Sequence, residues 1–318
     1  MTGTPVRMRD AFIEEVLSRM KSDNRIFFLS ADLGSPVLDS LRAQYPERFI
    51  NVGIAEQNLI NVASGLALEG FKVIAYAIAS FISMRCYEQT RINLAMISQF
   101  RDINVNLAGV GAGLSYDVSG PSHQALEDLA VMRALPNMRV LSPSDSESAK
   151  FAAGVALSQN GPKYIRLDGK PLPVIEEGGK ANLDWGFREL RQGADICLLA
   201  TGFMTHNSLA AAGDLAAEGL ETGVIDMFDL TGFASDRLVS AIRRYKTLVT
   251  VEEGFAGRGG LDTCVECFLR KNGLKSDLIS MALPAKYRFT VGSRDNLLAQ
   301  VNLDSPGIAA RIKTISRH

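Results

Sequence analysis

The sequence has almost no net charge and no apolar run of membrane-spanning length. Its 34 basic and 35 acidic residues leave a formal net charge of −1, so no overall field favours nucleic acid or an anionic membrane. The longest apolar stretch, residues 73–84, is shorter than the roughly 20 residues that a spanning helix needs. Residues 1–10 lack the apolar core of a secretory signal. We therefore expect a cytoplasmic protein that binds neither nucleic acid nor membrane.

Cysteine is also scarce, with four in 318 residues. Only Cys264 and Cys267 form a Cys-x-x-Cys pair, and no second Cys or His pair completes a four-ligand metal site. Val265, Phe268 and Leu269 recur around the pair with helical spacing. We interpret the two cysteines as residues of a half-buried helix and predict no metal ligands in this chain.

Short β-rich runs alternate with helical stretches along the chain. The expected strands are 26–30, 49–52, 72–76, 103–107, 138–141, 163–167, 196–200, 221–227, 247–251 and 278–281. The expected helices are 10–20, 55–68, 80–97, 125–134, 145–158, 206–218, 235–244 and 261–271. This alternation predicts an α/β fold with two domains, each a parallel or mixed sheet with helices on both faces. A polar stretch containing Gly and Pro interrupts it, which predicts domains at 1–175 and 195–318 with a linker at 176–194.

One carboxylate stands in the first turn of an apolar helix. Residues 51–58 read Asn-Val-Gly-Ile-Ala-Glu-Gln-Asn, and they join a short strand to a helical run with little charge. Glu56 is therefore expected to be partly buried, with its acidity set by its surroundings. Such a carboxyl group can hold a hydrogen bond to a ring nitrogen and pass a proton along it. The alternative is an acidic residue favoured only by the helix N-terminus.

The predicted helix 80–97 carries three large apolar side chains at i, i+3 and i+6. Phe81, Met84 and Tyr87 lie on roughly one face and could form a flat wall for a heteroaromatic ring. Core packing is the alternative explanation of such a stripe.

A loop rich in small residues follows the predicted strand 103–107. Its start, residues 108–113, resembles a dinucleotide-binding loop, but Leu114 occupies the third glycine position and no helix begins there. An active-site loop is the better interpretation. Near its end, in Gly-Pro-Ser-His-Gln at 120–124, His123 either reaches a substrate or caps the following helix.

Taken in order, these pieces resemble a known family. The turn 53–57 (Gly-Ile-Ala-Glu-Gln), the aromatic helix and the loop 120–124 are followed by Met-Arg-Ala-Leu-Pro-Asn-Met at 132–138 and Ser-Pro-Ser-Asp at 142–145. The whole is similar to the C-terminal half of transketolases and deoxyxylulose-phosphate synthases, and Leu-Val-Thr-Val-Glu-Glu-Gly at 248–254 extends the resemblance into the second domain. The Gly-Ile-Ala-Glu-Gln turn also occurs in β chains of 2-oxo-acid dehydrogenases.

The resemblance implies a thiamine diphosphate enzyme and assigns this chain a pyrimidine-binding domain and a C-terminal domain. Glu56 would hydrogen-bond the aminopyrimidine ring and promote the form that activates the thiazolium carbon. Phe81, Met84 and Tyr87 would wall the pyrimidine. His123 would hold ketose hydroxyls and assist proton transfer.

The family's Mg²⁺- and diphosphate-binding sequence, Gly-Asp-Gly followed later by Asn, does not occur here. We therefore expect a separate α subunit to supply Mg²⁺ and the diphosphate site, in an α₂β₂ assembly. The expected reaction is transfer of a two-carbon ketol unit from a ketose-like donor to an aldehyde-like or carrier-bound acceptor, with this chain inactive alone. The alternatives are the β subunit of a 2-oxo-acid dehydrogenase and a non-catalytic transketolase-like partner.

Three positions depart from the pattern of sugar-phosphate transketolases. Gly111 stands where they carry a histidine, Ser119 where they carry an aspartate, and Gly169, with Lys170 beside it, where they carry a phosphate-binding arginine. Asp117 lies near Ser119 but out of register. Charge-assisted hydrogen bonds contribute about 1.5–3 kcal/mol each, so their loss predicts weaker phosphate recognition.

Other positions keep the family pattern. Arg9 matches a phosphate contact of the family, and Ser35 matches another with a shift of one residue. We predict that Arg9, Ser35, Ser119 and His123 contact the substrate, which need not be an ordinary sugar phosphate.

Overall fold

The computed structural model describes residues 5–175 and 183–317. Its first part forms an α/β domain. The elements of this domain are β1 (Val6–Arg7), α1 (Met8–Met20), β2 (Ile26–Ser30), α2 (Pro36–Gln44), β3 (Phe49–Asn51), α3 (Glu56–Leu68), β4 (Lys72–Ile78), α4 (Ala79–Met84), α5 (Tyr87–Gln89), β5 (Asn104–Val110), α6 (Asp128–Arg133), β6 (Arg139–Leu141), α7 (Ser146–Ser158), β7 (Lys163–Leu167) and β8 (Pro171–Leu172).

Six of these strands form a parallel sheet in the order β3-β2-β4-β5-β7-β6. Because successive side chains of a strand point to opposite faces, β4 contributes to two cores. Ile74 and Tyr76 pack with α1 and α7, whereas Val73 and Ala75 pack with α3. The short strands β1 and β8 pair antiparallel and tie the two ends of the domain together.

The second domain is built on a mixed sheet. Its elements are β9 (Phe187–Arg191), β10 (Ile196–Ala200), α8 (Met204–Ala217), β11 (Thr222–Met227), α9 (Ser235–Ile242), β12 (Thr247–Phe255), α10 (Leu261–Lys271), β13 (Asp277–Leu283), α11 (Arg294–Ala299) and α12 (Ser305–Ile315). The strand order is β13-β12-β10-β11-β9, and only β9 runs antiparallel to its neighbour. Leu198 of β10 packs with α8 and α12, and Leu199 packs with α9 and α10 on the opposite face. The predicted fold class is confirmed.

Two expectations about the chain's organisation need correction. Strand β9 lies inside the stretch 176–194 that the sequence assigned to a linker, so the second sheet begins before residue 195. The residues 176–182 of that stretch lie outside the described part of the chain. The predicted helix 125–134 begins only at Asp128.

The predicted helix 80–97 is interrupted. Cys86 leaves the helical conformation, with φ −115° and ψ 25°, and the chain continues through α5, a π-helical stretch (Thr90–Met96) and a 3₁₀ turn (Ile97–Gln99). Directly after the break, the Tyr87 hydroxyl donates to the backbone carbonyl of Val131 at 2.9 Å. This bond connects α5 to α6.

The cysteine pair lies in α10, as the spacing predicted. Cys264 is buried, and its thiol donates to the carbonyl of Leu230 at 3.3 Å, whereas Cys267 is exposed. Within residues 5–175 and 183–317, no group of three or more His, Cys, Asp or Glu side chains is placed to hold a metal ion. In the same part of the chain, no helix has both the length and the apolar character to cross a bilayer.

Charged side chains hold the two domains together. The Arg188 guanidinium lies 3.1 Å from the Asp145 carboxylate of the first domain and 2.7 Å from Asp226 of the second. Arg294, at the start of α11, lies 2.5 Å from Asp168 and 3.3 Å from Glu253. All of these side chains are buried.

Candidate cofactor and substrate site

The predicted site residues gather at one edge of the first sheet. Strands β2, β3, β4 and β5 are parallel, so their carboxyl ends meet at the same edge. The segments that follow these strands carry Ser35, Glu56, Phe81 and His123 respectively. This edge is where open α/β sheets bind their ligands.

Glu56 is the first residue of α3 and is only 5% exposed. The turn before it is fixed by the Asn51 side chain, whose oxygen accepts from the backbone N–H groups of Gly53 at 3.0 Å and Asp32 at 3.1 Å. Gly53 has φ +75°, a conformation that favours glycine. The turn therefore brings a carboxylate into the protein interior at the start of an apolar helix, as the sequence predicted.

The Glu56 carboxylate is paired with Arg85. The Nη1 atom of Arg85 lies 3.2 and 3.3 Å from the two carboxylate oxygens. The carbon of the same guanidinium lies 3.6 Å from the centre of the Phe81 ring. One planar cationic group therefore donates to a buried carboxylate and covers an aromatic face at the same time.

Aromatic rings connect this pair to the loop that carries His123. The ring centres of Phe81 and His123 lie 5.1 Å apart, and those of His123 and Tyr116 lie 6.5 Å apart. The His123 Nδ1 atom is 3.1 Å from the Ser122 hydroxyl oxygen. Arg85, Phe81, His123 and Tyr116 thus form a row of contacting groups next to the buried Glu56 carboxylate. A substrate bound beside Phe81 would contact the half-buried His123 imidazole.

The three apolar residues predicted to form one wall have different surroundings. Phe81 lies beneath the Arg85 guanidinium. Met84 is 42% exposed, and Tyr87, after the interruption at Cys86, packs against the core and donates to Val131. The roles of Met84 and Tyr87 in binding a ring stay predictions.

Two predicted substrate contacts meet at a single carboxylate. The Asp10 Oδ1 atom accepts from the Arg9 Nε–H at 3.0 Å and from the Ser35 hydroxyl at 2.8 Å. Burial raises the pKa of Tyr76 and of Tyr116, and the nearby charge of Arg9 acts on both in the opposite direction. Arg9 and Ser35 are thus joined through Asp10, and Arg9 lies close to the aromatic row.

Ser119 is exposed at the end of the 3₁₀ turn Asp117–Ser119. Asp117 is buried beside it and forms an ion pair with Lys170. The backbone N–H of Arg294 also donates to Asp117, at 2.8 Å. Burial alone would raise the pKa of Asp117, but the bonds from Lys170 and Arg294 outweigh it and lower the pKa.

Sequence reasoning missed Tyr116. A β-carbon added to Gly111 would lie 2.3 Å from Cε2 of the Tyr116 ring, and one added to Gly169 would lie 3.2 Å from Cε1. The ring therefore fills the space that a side chain at Gly111 would need and closely borders the space at Gly169. The only signal in the sequence was the presence of two glycines at positions where a larger side chain was expected.

Arg85 was also missed. It stands four residues after Phe81, a spacing at which helical side chains meet, so its contact with the ring could have been found. Its contact with Glu56 depends on how α3 and α4 lie against each other, which no local pattern reveals.

The site has the features that an aminopyrimidine ring requires. It offers a buried carboxylate for a ring nitrogen and a flat aromatic face for stacking. The Arg85 guanidinium, a planar group with N–H donors, already uses both. The residues present therefore fit the pyrimidine part of thiamine diphosphate.

Comparison with family models gives the same assignment. Residues 4–173 match the model of the transketolase pyrimidine-binding domain, and residues 187–308 match that of the transketolase C-terminal domain. The chain belongs to the transketolase family. Both parts of the family resemblance seen in the sequence are thereby confirmed.

Individual transketolase relatives match the chain over most of its length. The 6-deoxy-6-sulfo-D-fructose transketolase subunit of Clostridium sp. (strain MSTE9) is 32% identical over 267 residues, which cover 82% of this chain and 80% of the relative. One of the subunits of the apulose-4-phosphate transketolase of Actinobacillus succinogenes is 28% identical, over 95% and 96% of the two chains. A solved split-gene transketolase, described as an inactive β4 tetramer, has 31% identity and a TM-score of 0.84 over 98% of each chain.

Proposed function

We propose that this chain is the β subunit of a two-subunit transketolase. The complete enzyme would transfer a two-carbon ketol unit from a ketose-like donor to an aldehyde-like or carrier-bound acceptor. The observation that carries this proposal is the buried Glu56 carboxylate beside the face of Phe81. The relatives, which include subunits of two transketolases, support a transketolase over a 2-oxo-acid dehydrogenase.

The proposed cofactor is thiamine diphosphate, which when bound would supply the electron sink needed to break and form a carbon–carbon bond next to a carbonyl group. Glu56 would hold the proton shared with a pyrimidine nitrogen. α3 and the turn fixed by Asn51 would hold the backbone of Glu56 in place while this bond forms. Phe81 would orient the ring by stacking, and Met84 and Tyr87 would complete its surroundings.

His123 would act on the substrate. Its Nδ1 atom faces the Ser122 hydroxyl, so Nε2 is the nitrogen that can meet a substrate hydroxyl. A neutral imidazole has one nitrogen that donates a hydrogen bond and one that accepts, so Nε2 can pair with a hydroxyl in either tautomer. Arg9, Ser35 and Ser119 would contact more distant parts of the substrate.

A separate α subunit would provide the rest of the site, including the Mg²⁺ ion and the groups that hold the diphosphate. The names of the relatives support this division, since two are subunits and the solved β4 tetramer is described as inactive. We propose an α₂β₂ assembly in which each cofactor lies between an α and a β chain.

The substrate is proposed to differ from an ordinary sugar phosphate. Tyr116 fills the space at Gly111 and closely borders that at Gly169. The family resemblance implies that sugar-phosphate transketolases carry a histidine at the first position and an arginine at the second. The nearby cations are also engaged, because Lys170 pairs with Asp117 and Arg9 with Asp10. Two relatives are named for a sulfonated ketose and for apulose 4-phosphate, which supports an uncommon donor or acceptor.

A donor comparison tests this proposal. The β chain is co-expressed with its α partner, and turnover of xylulose 5-phosphate is compared with that of hydroxypyruvate and of unphosphorylated ketoses at matched acceptor concentration. We expect kcat/KM for at least one unphosphorylated donor to equal or exceed that for the phosphate ester. A strong preference for xylulose 5-phosphate would refute the substrate assignment, and ketol transfer by rigorously partner-free β chain would refute the division of the site.

A further inference from the structure

Arg85 reaches from the surface into the proposed cofactor site. Its side chain is 48% exposed, whereas the Glu56 side chain that it meets is 6% exposed. It donates to both carboxylate oxygens and lies 3.6 Å above the Phe81 ring. An exposed arginine could be solvated equally well by water. The contacts therefore stabilise mainly the buried Glu56 carboxylate and the Phe81 ring.

The guanidinium makes the two contacts that the pyrimidine ring would have to make. A ring that stacks on Phe81 and also hydrogen-bonds Glu56 must lie between those two side chains. At 3.6 Å from the ring centre, the guanidinium is already at stacking distance, so a second planar group cannot share that place.

We propose that Arg85 is a positioning residue that occupies the place of the pyrimidine ring until the cofactor enters. This inference rests on the proposed function. In the cofactor-free chain Arg85 satisfies the Glu56 carboxylate, which would otherwise be buried without a cation. On cofactor entry its side chain leaves, and Glu56 and Phe81 become available together.

The backbone around Arg85 allows this exchange by side-chain movement alone. The Arg85 N–H donates to the Phe81 carbonyl at 2.9 Å, and its carbonyl accepts from the Gln57 side chain at 3.2 Å. Both bonds hold the main chain and leave the guanidinium free to rotate towards solvent. The half-exposed stem provides the way out.

Cofactor binding must therefore break the contacts of Arg85, and this lowers the apparent affinity. Truncating Arg85 removes that competition. Because the pair is half-exposed, its contribution is modest, and we expect R85A to bind thiamine diphosphate about three- to tenfold more tightly than the wild type.

The experiment measures the Kd for thiamine diphosphate in the α–β complex, at fixed Mg²⁺, by calorimetry for wild type, R85A and R91A. Arg91 is a matched control, since it is 50% exposed and pairs with Glu88 at 3.4 Å, away from Glu56. We expect tighter binding by R85A alone, and a ratio between wild type and R85A that shrinks as salt is raised. A second readout needs no cofactor: the melting temperature of the β chain should fall in R85A more than in R91A.

The outcomes separate the two proposals. Unchanged or weaker cofactor binding by R85A, with normal binding by the wild type, would overturn only the inference that Arg85 occupies the place of the pyrimidine ring. Failure of the wild-type complex to bind the cofactor at all would overturn the proposed function and this inference with it. An unchanged melting temperature of cofactor-free R85A would also contradict the inference about Arg85. It would show that the buried Glu56 carboxylate is not stabilised by Arg85.

Discussion

Two sets of ion pairs in this molecule use the same chemistry in different surroundings. At the edge of the first sheet, Arg85 is 48% exposed and pairs with a buried Glu56. At the junction between the domains, Arg294 is 3% exposed and pairs with Asp168 and Glu253, which are 2% and 1% exposed. Breaking a fully buried pair leaves a charge without compensation, whereas an exposed arginine can return to water. We therefore expect the buried pairs of Arg294 to stay formed, whereas Arg85 can leave Glu56 when another group binds there.

The junction also reaches the proposed site. The backbone N–H of Arg294 donates to Asp117, and the Asp117 carboxylate pairs with Lys170. These bonds fix the loop that carries Tyr116 and His123. The second domain thus supports the substrate side of the site through a rigid, buried contact.

The largest expected effect is on the activity of the complex, and it comes from changing Glu56 of the Arg85–Glu56 pair. The substitution E56Q keeps the size of the side chain and removes its ability to hold the proton shared with a ring nitrogen. We expect kcat of the α–β complex to fall by about 10²–10⁴-fold. Steady-state kinetics at saturating cofactor measures this, and an unchanged melting temperature shows that the fold is intact. A loss of less than tenfold would remove Glu56 from the mechanism.

The next largest effect is on stability, and it comes from the buried ion pairs of Arg294 between the domains. The substitution R294A leaves Asp168 and Glu253 buried without their cation, so the free energy of unfolding should fall by about 3–5 kcal/mol. Urea denaturation of the β chain measures it. R85A is the comparison variant, for which we expect a loss of about 1 kcal/mol or less. Equal losses in the two variants would contradict the distinction drawn from burial.

A smaller effect concerns Glu252, the buried residue before Glu253 in β12. Burial raises the pKa of Glu252 to about 7 from 4.5, so the folded chain holds this proton more tightly than the unfolded chain does. The free energy of unfolding contributed by Glu252 is then fully present below pH 4.5. It is lost as pH rises through the folded pKa of about 7, and it changes little above that value.

The substitution E252Q removes this titration. Relative to the wild type, the variant should gain up to about 3 kcal/mol between acid and alkaline pH. Unfolding curves of both proteins at about pH 4.5, 6 and 8, values that bracket the two pKa values, test the expectation. A difference that does not change with pH would show that Glu252 does not titrate in this range.

Sequence reasoning identified the fold and the burial of Glu56 because both depend on local patterns. Buried strands of a parallel sheet read as apolar runs, and most predicted strands are present. Strand β9 was missed because Phe-Arg-Glu-Leu-Arg contains three charged residues in five positions, which a strand at the edge of a mixed sheet tolerates. The buried position of Glu56 could be predicted because its turn and its apolar helix are adjacent in the chain.

The rest of the site depends on tertiary contacts. The interruption at Cys86 could not be read from the i, i+3, i+6 spacing, because it is held by the bond from Tyr87 to a different helix. The pairing of Arg85 with Glu56 and the contact of Tyr116 with Gly169 each bring together segments that are remote in sequence. The cytoplasmic location and the requirement for Mg²⁺ stay predictions.

The most direct test of the account is the amount of thiamine diphosphate bound per β chain in the presence of Mg²⁺. It is measured for the chain alone and for the chain co-purified with its α partner, followed by dialysis. We predict close to one cofactor per β chain in the complex and almost none in the chain alone. Failure of a verified complex to bind the cofactor would contradict the role assigned to Glu56 and favour a non-catalytic transketolase-like partner.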